Sequence, residues 1–217
     1  MKIYFLVIPV IIGILFGVLL TITPEDSTNN STILNKENLL FGSTILGNPD
    51  AKITVVEFGD YQCTFCYKFH NDVMKKINEK YIKSGDVNFV YKDFPLNGNL
   101  SVLASEASYC AQQQDRFWAY HDILYDNWGG ENTGWITQNV LTKFAKESEL
   151  NIEQFNLCMK NSEFRQKVLD NEQFAKGINI NATPSFLIFN DNEVYRIIGA
   201  QPFEQFELAF QELRTLG

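Results

Sequence analysis

Hydrophobic positions fall into three patterns along this chain. Ile3 to Ile22 is an unbroken uncharged apolar run preceded by Lys2. As a helix it is about 30 Å long, the thickness of a bilayer core. Short β-branched and aromatic runs make the second pattern: Ile53-Thr54-Val55-Val56, Val87-Asn88-Phe89-Val90-Tyr91, Ser185-Phe186-Leu187-Ile188-Phe189 and Glu193-Val194-Tyr195-Arg196-Ile197-Ile198. Each predicts a strand. In the third pattern apolar residues recur every three or four positions. Cys66, Phe69, Val73, Ile77 and Tyr81 predict a helix that starts just after the first strand.

Between the second and third strands only helical spacing is visible. Leu103, Ala107, Cys110 and Ala111 share a face, and Phe117, Trp118, His121, Leu124 and Tyr125 form another stripe. Beyond the Gly129-Gly130 turn come Val140, Leu141, Phe144 and Ala145, then a short helix with Phe155 and Cys158. A longer helix follows through Phe164 and Val168, ending near Gly177. This predicts an insertion of four or five helices over about 97–177. Asn190-Asp191-Asn192 reads as a hairpin turn, and Pro202 opens a last helix with Phe203, Phe206, Phe210 and Leu213 on one face. The order is β-α-β, helices, β-β-α. Strand, helix and strand in succession imply that the first two strands are parallel.

Residues 23–39, rich in Ser, Thr and Asn, read as a flexible linker between the apolar run (1–22) and one domain spanning 40–217. The 217 residues carry a net charge of −8, which argues against nucleic-acid partners and against a polybasic membrane patch. The apolar run is either a cleaved signal peptide or a retained transmembrane anchor. It is long for a signal segment, and Thr21-Ile22-Thr23-Pro24 offers no small-residue cleavage site, which favours the anchor. Lys2 keeps the start cytoplasmic, so the domain is expected on the extracytoplasmic side of the cell membrane, where disulfides form.

That compartment gives weight to Cys63-Thr64-Phe65-Cys66, which sits where the first strand ends and its helix begins. Free N–H groups and the dipole of a helix start favour negative charge, and a thiolate there has a lowered pKa. The thiolate is the attacking species in disulfide exchange. The other reading of the pair is half a zinc site, but zinc needs four ligands and Cys110, Cys158, His70 and His121 stand singly. Redox chemistry is the better fit. His121 lies on an apolar stripe and reads as a core histidine, His70 as packing or surface, and Asp60 as a turn residue.

The element order, the Cys-x-x-Cys helix start and Thr183-Pro184 just before a hairpin strand together resemble the thioredoxin fold, a central mixed sheet flanked by helices. The inserted helical subdomain narrows the resemblance to the DsbA-like thiol–disulfide oxidoreductases, especially membrane-anchored forms. Val56 to Cys66, Lys92-Asp93-Phe94-Pro95-Leu96, Phe117-Trp118-Ala119-Tyr120-His121-Asp122 and Ala182-Thr183-Pro184-Ser185-Phe186 are the similar segments. The resemblance implies that Cys63 is the exposed nucleophile and Cys66 the buried resolving thiol. It implies that Pro184 is a cis-proline presenting the Thr183 backbone beside the sulfurs, and that Glu57 is an acid beneath Cys66. Without the resemblance, Pro184 reads as a trans proline opening a strand and Glu57 as a solvated strand-end residue. Members best known for strong oxidation have Pro-His between their cysteines. Thr64-Phe65 lacks that histidine, so a weaker oxidant is expected.

By the same resemblance Cys110 and Cys158 form a structural disulfide within the insertion, whereas the residues alone allow two buried free thiols. The implied activity transfers the Cys63–Cys66 disulfide to exported cysteine-containing proteins through a mixed disulfide, with a membrane quinone-linked thiol oxidase as redox partner and no bound cofactor or metal. The same chemistry could run in reverse in a reductase or isomerase. A non-enzymatic chaperone for a soft metal is the reading from another class.

Overall fold

The computed structural model describes residues 36–215. The predicted membrane segment and most of the predicted linker lie outside them. Among the described residues no helix is long and apolar enough to cross a membrane. The linker reading is too long at its end: Lys36–Leu40 forms a short helix, α1, whose Leu39 is buried.

A five-stranded sheet in the order β1-β3-β2-β4-β5 organises the fold. Its strands are β1 (Ile45–Leu46), β2 (Ile53–Gly59), β3 (Val87–Asp93), β4 (Ser185–Phe189) and β5 (Val194–Ile198). β2 is central and buried along its whole length, which is why it reads as a continuous apolar run instead of an alternating one. It pairs in parallel with β3, Val56 opposite Val90, and antiparallel with β4, Val56 opposite Leu187. β5 is the half-exposed edge. β1 is two residues long and antiparallel to β3, and no hydrophobic pattern announces it.

A single helical segment, α2, occupies residues 64–82. It alternates α-helical turns (Thr64–Phe69, Lys75–Ile77) with π-helical turns (His70–Met74, Asn78–Ile82). It packs with the last helix, α8 (Phe203–Thr215), on one face of the sheet. There Val55, Phe69, Ile77, Phe89, Phe186 and Phe206 share a core. The opposite face is covered by α1 and α7 (Arg165–Gly177), through Leu39, Val56, Phe58, Val90, Ala175 and Ile178.

The insertion contains α3 (Asn99–Gln112), α4 (Phe117–Asp126), α5 (Gln138–Glu147), α6 (Ile152–Asn161) and α7. Its helix starts are written locally. Thr137 caps α5 by accepting from the Val140 N–H, and Asn151 caps α6 by accepting from Gln154. Gly98 precedes α3 with φ of +87°, a conformation that other residues rarely adopt. Cys110 of α3 and Cys158 of α6 are joined by a disulfide with Cα atoms 5.9 Å apart, inside a core that includes Phe117, Tyr120, Leu141 and Phe155.

Candidate active site

The approach to Cys63 is fixed before the cysteine is reached. Asp60 is buried at the end of β2, and its two carboxylate oxygens accept from the Gln62 N–H at 2.8 Å and the Asn97 N–H at 2.7 Å. Gln62 in turn donates to the Asn97 carbonyl and the Ser101 hydroxyl, each at 2.9 Å. These bonds tie the loop to the start of α3, and the Tyr125 hydroxyl ties it to α4 through the Asp60 carbonyl. Asp60 is the turn residue its sequence context suggests. Tyr61 lies wholly inside an aromatic cage of Tyr91, Tyr125 and His121, its hydroxyl 3.0 Å from His121 Nδ1. His121 is thus a core histidine with a partner. His70 is also buried, stacked on Tyr125, with Asp126 at 3.7 Å.

Cys63 is the N-cap of α2 and Cys66 lies in its first turn. Both are unpaired and both are buried, so Cys63, 5% exposed, is less open than the resemblance implies: the Thr183–Pro184 turn lies against it. As a thiol Cys63 donates to the Thr183 carbonyl across 3.4 Å. Its pKa is lowered to about 6, first by a hydrogen bond from Cys66, and further by Thr183 and the N–H groups of Cys66 and Phe65, against an opposing effect of burial. Cys66 differs in kind. It is fully buried, and burial pushes its thiol well above the ordinary range, with the bond to Cys63 and the Glu57 charge adding to the effect. One sulfur of the pair is an anion near neutral pH and the other a thiol that holds its proton.

Glu57 lies in the middle of β2, paired in register with Tyr91 and Phe186. It shares the strand face of Val55, the face beneath α2. It is buried, and its carboxyl is raised well above the usual range by burial and then by Cys63. Its Oε1 has no hydrogen-bond partner. The Thr183–Pro184 peptide is cis. Cys63, Cys66, Glu57, Thr183 and Pro184 therefore occupy one neighbourhood, and the Cys110–Cys158 bridge joins two insertion helices within the same apolar core that holds the cysteine pair. Among the described residues His70, His121 and Asp122 come close enough to share an ion, and neither cysteine of the pair belongs to that group.

Comparison with known proteins gives the same picture. The family profile described as Thioredoxin matches residues 41–211. The disulfide bond formation protein D of Bacillus subtilis (strain 168) is 32% identical over 157 residues, 70% of each chain. The chain belongs to the thioredoxin family, among its DsbA-like thiol–disulfide oxidoreductases. The crystal structure of oxidised BdbD from Bacillus subtilis superposes with a TM-score of 0.72 at 29% identity, over 80% of this chain and 93% of that one. Wolbachia pipientis alpha-DsbA1 superposes with a TM-score of 0.72 at 26% identity, over 86% and 96%.

Two residues at the site of this DsbA-like oxidoreductase carry no signal in the sequence reading. Glu131 Oε2 accepts both the Thr64 N–H at 3.1 Å and the Thr64 hydroxyl at 3.0 Å. Trp128 stacks on Tyr67 with ring centroids 4.6 Å apart and donates from Nε1 to the Gln62 carbonyl. Both come from the loop after α4. The Gly129-Gly130 turn marks that loop, but nothing in its spacing points to the cysteines.

Proposed function

We propose that this oxidoreductase works as a donor of disulfides to exported proteins, with Cys63 as nucleophile and Cys66 as resolving thiol. The contrast in acidity between the two sulfurs carries the reading. A substrate thiolate attacks Cys63 of the Cys63–Cys66 disulfide. A bond forms between the substrate sulfur and Cys63, and Cys66 leaves with the electron pair. Its high proton affinity requires prompt protonation, and the buried Glu57 carboxyl, whose proton affinity burial raises, is the group placed to supply it. A second substrate thiolate then attacks the substrate sulfur of the mixed disulfide. Cys63 departs as a thiolate, the substrate is oxidised by two electrons, and the enzyme is left reduced. A low pKa makes Cys63 a good leaving group and favours this direction. The Thr183 carbonyl, beside the sulfur, is an acceptor that an extended substrate backbone could use.

A separate membrane thiol oxidase of the quinone-linked kind would restore the Cys63–Cys66 disulfide. The buried Cys110–Cys158 bridge supports work in an oxidising, extracytoplasmic compartment, where it serves stability and takes no part in exchange. Anchoring through residues 1–22 rests on their sequence, and a carbonate wash of membranes tests it: the full chain should stay in the pellet.

The deciding experiment pairs a potential with a trap. The Cys63–Cys66 couple equilibrated against glutathione should be more oxidising than the compartment's pool, and Cys66→Ser should accumulate mixed disulfides through Cys63. A potential below that of the pool would instead make the protein a reductase. Stoichiometric soft metal on the purified protein, with no oxidation of a reduced peptide, would make it a metal carrier.

A further inference from the structure

The loop after α4 reaches across the nucleophile's helix and grips it at three consecutive levels. Trp128 holds the Gln62 carbonyl, Glu131 holds both donors of Thr64, and the Trp128 ring lies on Tyr67. The residues gripped bracket Cys63. The contact at Thr64 has a consequence that the other two lack, because it brings a carboxylate to the helix start that stabilises the Cys63 anion. The N–H groups of Phe65 and Cys66 serve the Cys63 sulfur. That of Thr64, the first N–H of the helix, is bound to Glu131 instead.

We infer that Glu131 is a positioning residue that sets the oxidising strength of the Cys63–Cys66 pair. Its carboxylate fixes the Thr64 end of the dithiol turn and, by its charge, holds back the stability of the Cys63 thiolate. The two effects separate physically. A neutral amide in the same place can still accept from Thr64 but no longer opposes the thiolate. The helix start itself is stabilised by a negative cap whether the pair is oxidised or reduced, so that part cancels in the redox equilibrium. Repulsion of the thiolate exists only in the reduced state and does not cancel. It makes the disulfide less oxidising than the helix start alone would make it. Glu131 Oε2 is 3.1 Å from the amide nitrogen of the residue after Cys63, so its charge lies one residue from the sulfur. In a medium as polar as water a unit charge at a separation of that order changes an ionisation by about half a pKa unit, which is about threefold in the equilibrium with glutathione. Glu131 is exposed and the loop is open to solvent, so the water-like value applies.

The inference rests on Cys63 being the nucleophile, so its test reads the ionisation directly as well as the exchange. In Glu131→Gln the thiolate absorbance of reduced protein should titrate about half a unit lower than in wild type. The glutathione equilibrium should shift about threefold toward the dithiol, and high salt should shrink both differences. Glu131→Ala should give the same direction together with a less ordered Thr64 turn, read as faster exchange of the Thr64 amide. If Glu131→Gln leaves both the titration and the equilibrium at wild-type values, the charge role is wrong. If the titration moves but neither protein exchanges with glutathione, the charge effect on Cys63 stands, and what fails is the disulfide-donor reading on which a role in oxidising strength depends.

Discussion

Acidifying the reduced protein should cost it stability through a single sulfur. Cys63 has a folded pKa of about 6, below the value of about 8.5 for an unfolded thiol. A depressed folded pKa stabilises the fold fully above the unfolded value, and the contribution is lost as pH falls toward the folded one. One unit above the folded pKa, at about pH 7, the remaining contribution is about 1.4 kcal/mol. Cys63 is itself buried, 5% exposed, and residual solvent screening makes that figure a ceiling. The same free energy is absent from the oxidised protein, so at about pH 7 it corresponds to about 30 mV of oxidising power for this two-electron couple. Alkylation of the reduced protein by iodoacetamide should follow one ionisation with a midpoint of about 6, at Cys63 alone, since Cys66 is held protonated by burial. Urea unfolding under reducing conditions, at about pH 7 and about pH 5, should show wild type losing up to about 1.4 kcal/mol more than Cys63→Ser. A midpoint in the ordinary thiol range, or parallel losses in the two proteins, would refute the reasoning.

Replacing Cys110 and Cys158 together by Ala opens a loop with a sequence separation of 48, worth at most about 4 kcal/mol by the chain-entropy relation. Urea unfolding of the oxidised proteins measures it, and an unchanged midpoint would mean that the bridge adds nothing. Glu57→Gln keeps the shape but cannot supply a proton, so oxidation of a reduced peptide should slow by ~10-fold or more, with the Cys63 alkylation midpoint still well below that of an ordinary thiol. Equal rates would remove Glu57 from the exchange. Gly59→Ala puts a Cβ 2.4 Å from Cε2 of the buried Tyr91, which cannot swing out to solvent. A loss of about 1–3 kcal/mol is expected in thermal unfolding, and wild-type stability would show that the end of β2 can shift freely.

Much of this fold is legible because β2, β3 and β4 are buried on both faces and the helices on one. β2 is a plain apolar run, and the dithiol sits at the junction where its pattern changes. The stripe of α2 also held something that was not read from it. Cys66, Phe69, Val73, Ile77 and Tyr81 are spaced by three and then by four, four and four. In a uniform α-helix of 3.6 residues per turn, repeated steps of four carry a stripe steadily around the axis. The π-helical turns at His70–Met74 and Asn78–Ile82 widen the turn and keep these side chains over the sheet. α1 was hidden because a polar stretch needs only one buried side chain, Leu39, to dock. β1 was hidden because two residues have no period. Glu131 was hidden for a different reason: it meets Thr64 across 67 positions, and an exposed glutamate beside two glycines looks like any other loop residue.

The two cysteines are three residues apart on the same turn, and the helix-start N–H groups account for only part of the gap in their acidities. The difference comes from what each sulfur faces. Cys66 is turned inward, where burial outweighs the one backbone hydrogen bond, at Asp60, that favours its anion. Tyr91 and Tyr125 are wholly buried, and their own ionisation is suppressed by burial. Glu57, whenever it is ionised, adds a charge of the wrong sign. Cys63 faces donors: the Cys66 thiol, Thr183, and N–H groups of the helix start. Two of the residues that enclose Cys66, Tyr61 and Tyr91, come from the sheet side of the molecule, and Tyr125 comes from the insertion. The donors around Cys63 are supplied by the helix start and the Thr183–Pro184 turn. The insertion therefore acts chiefly on the resolving sulfur, by closing it off from water, while its loop at Trp128 and Glu131 reaches the turn that carries the attacking one. A thioredoxin core without that insertion would retain the helix start that favours a thiolate at Cys63. It would lose Tyr125 from the enclosure that keeps Cys66 protonated.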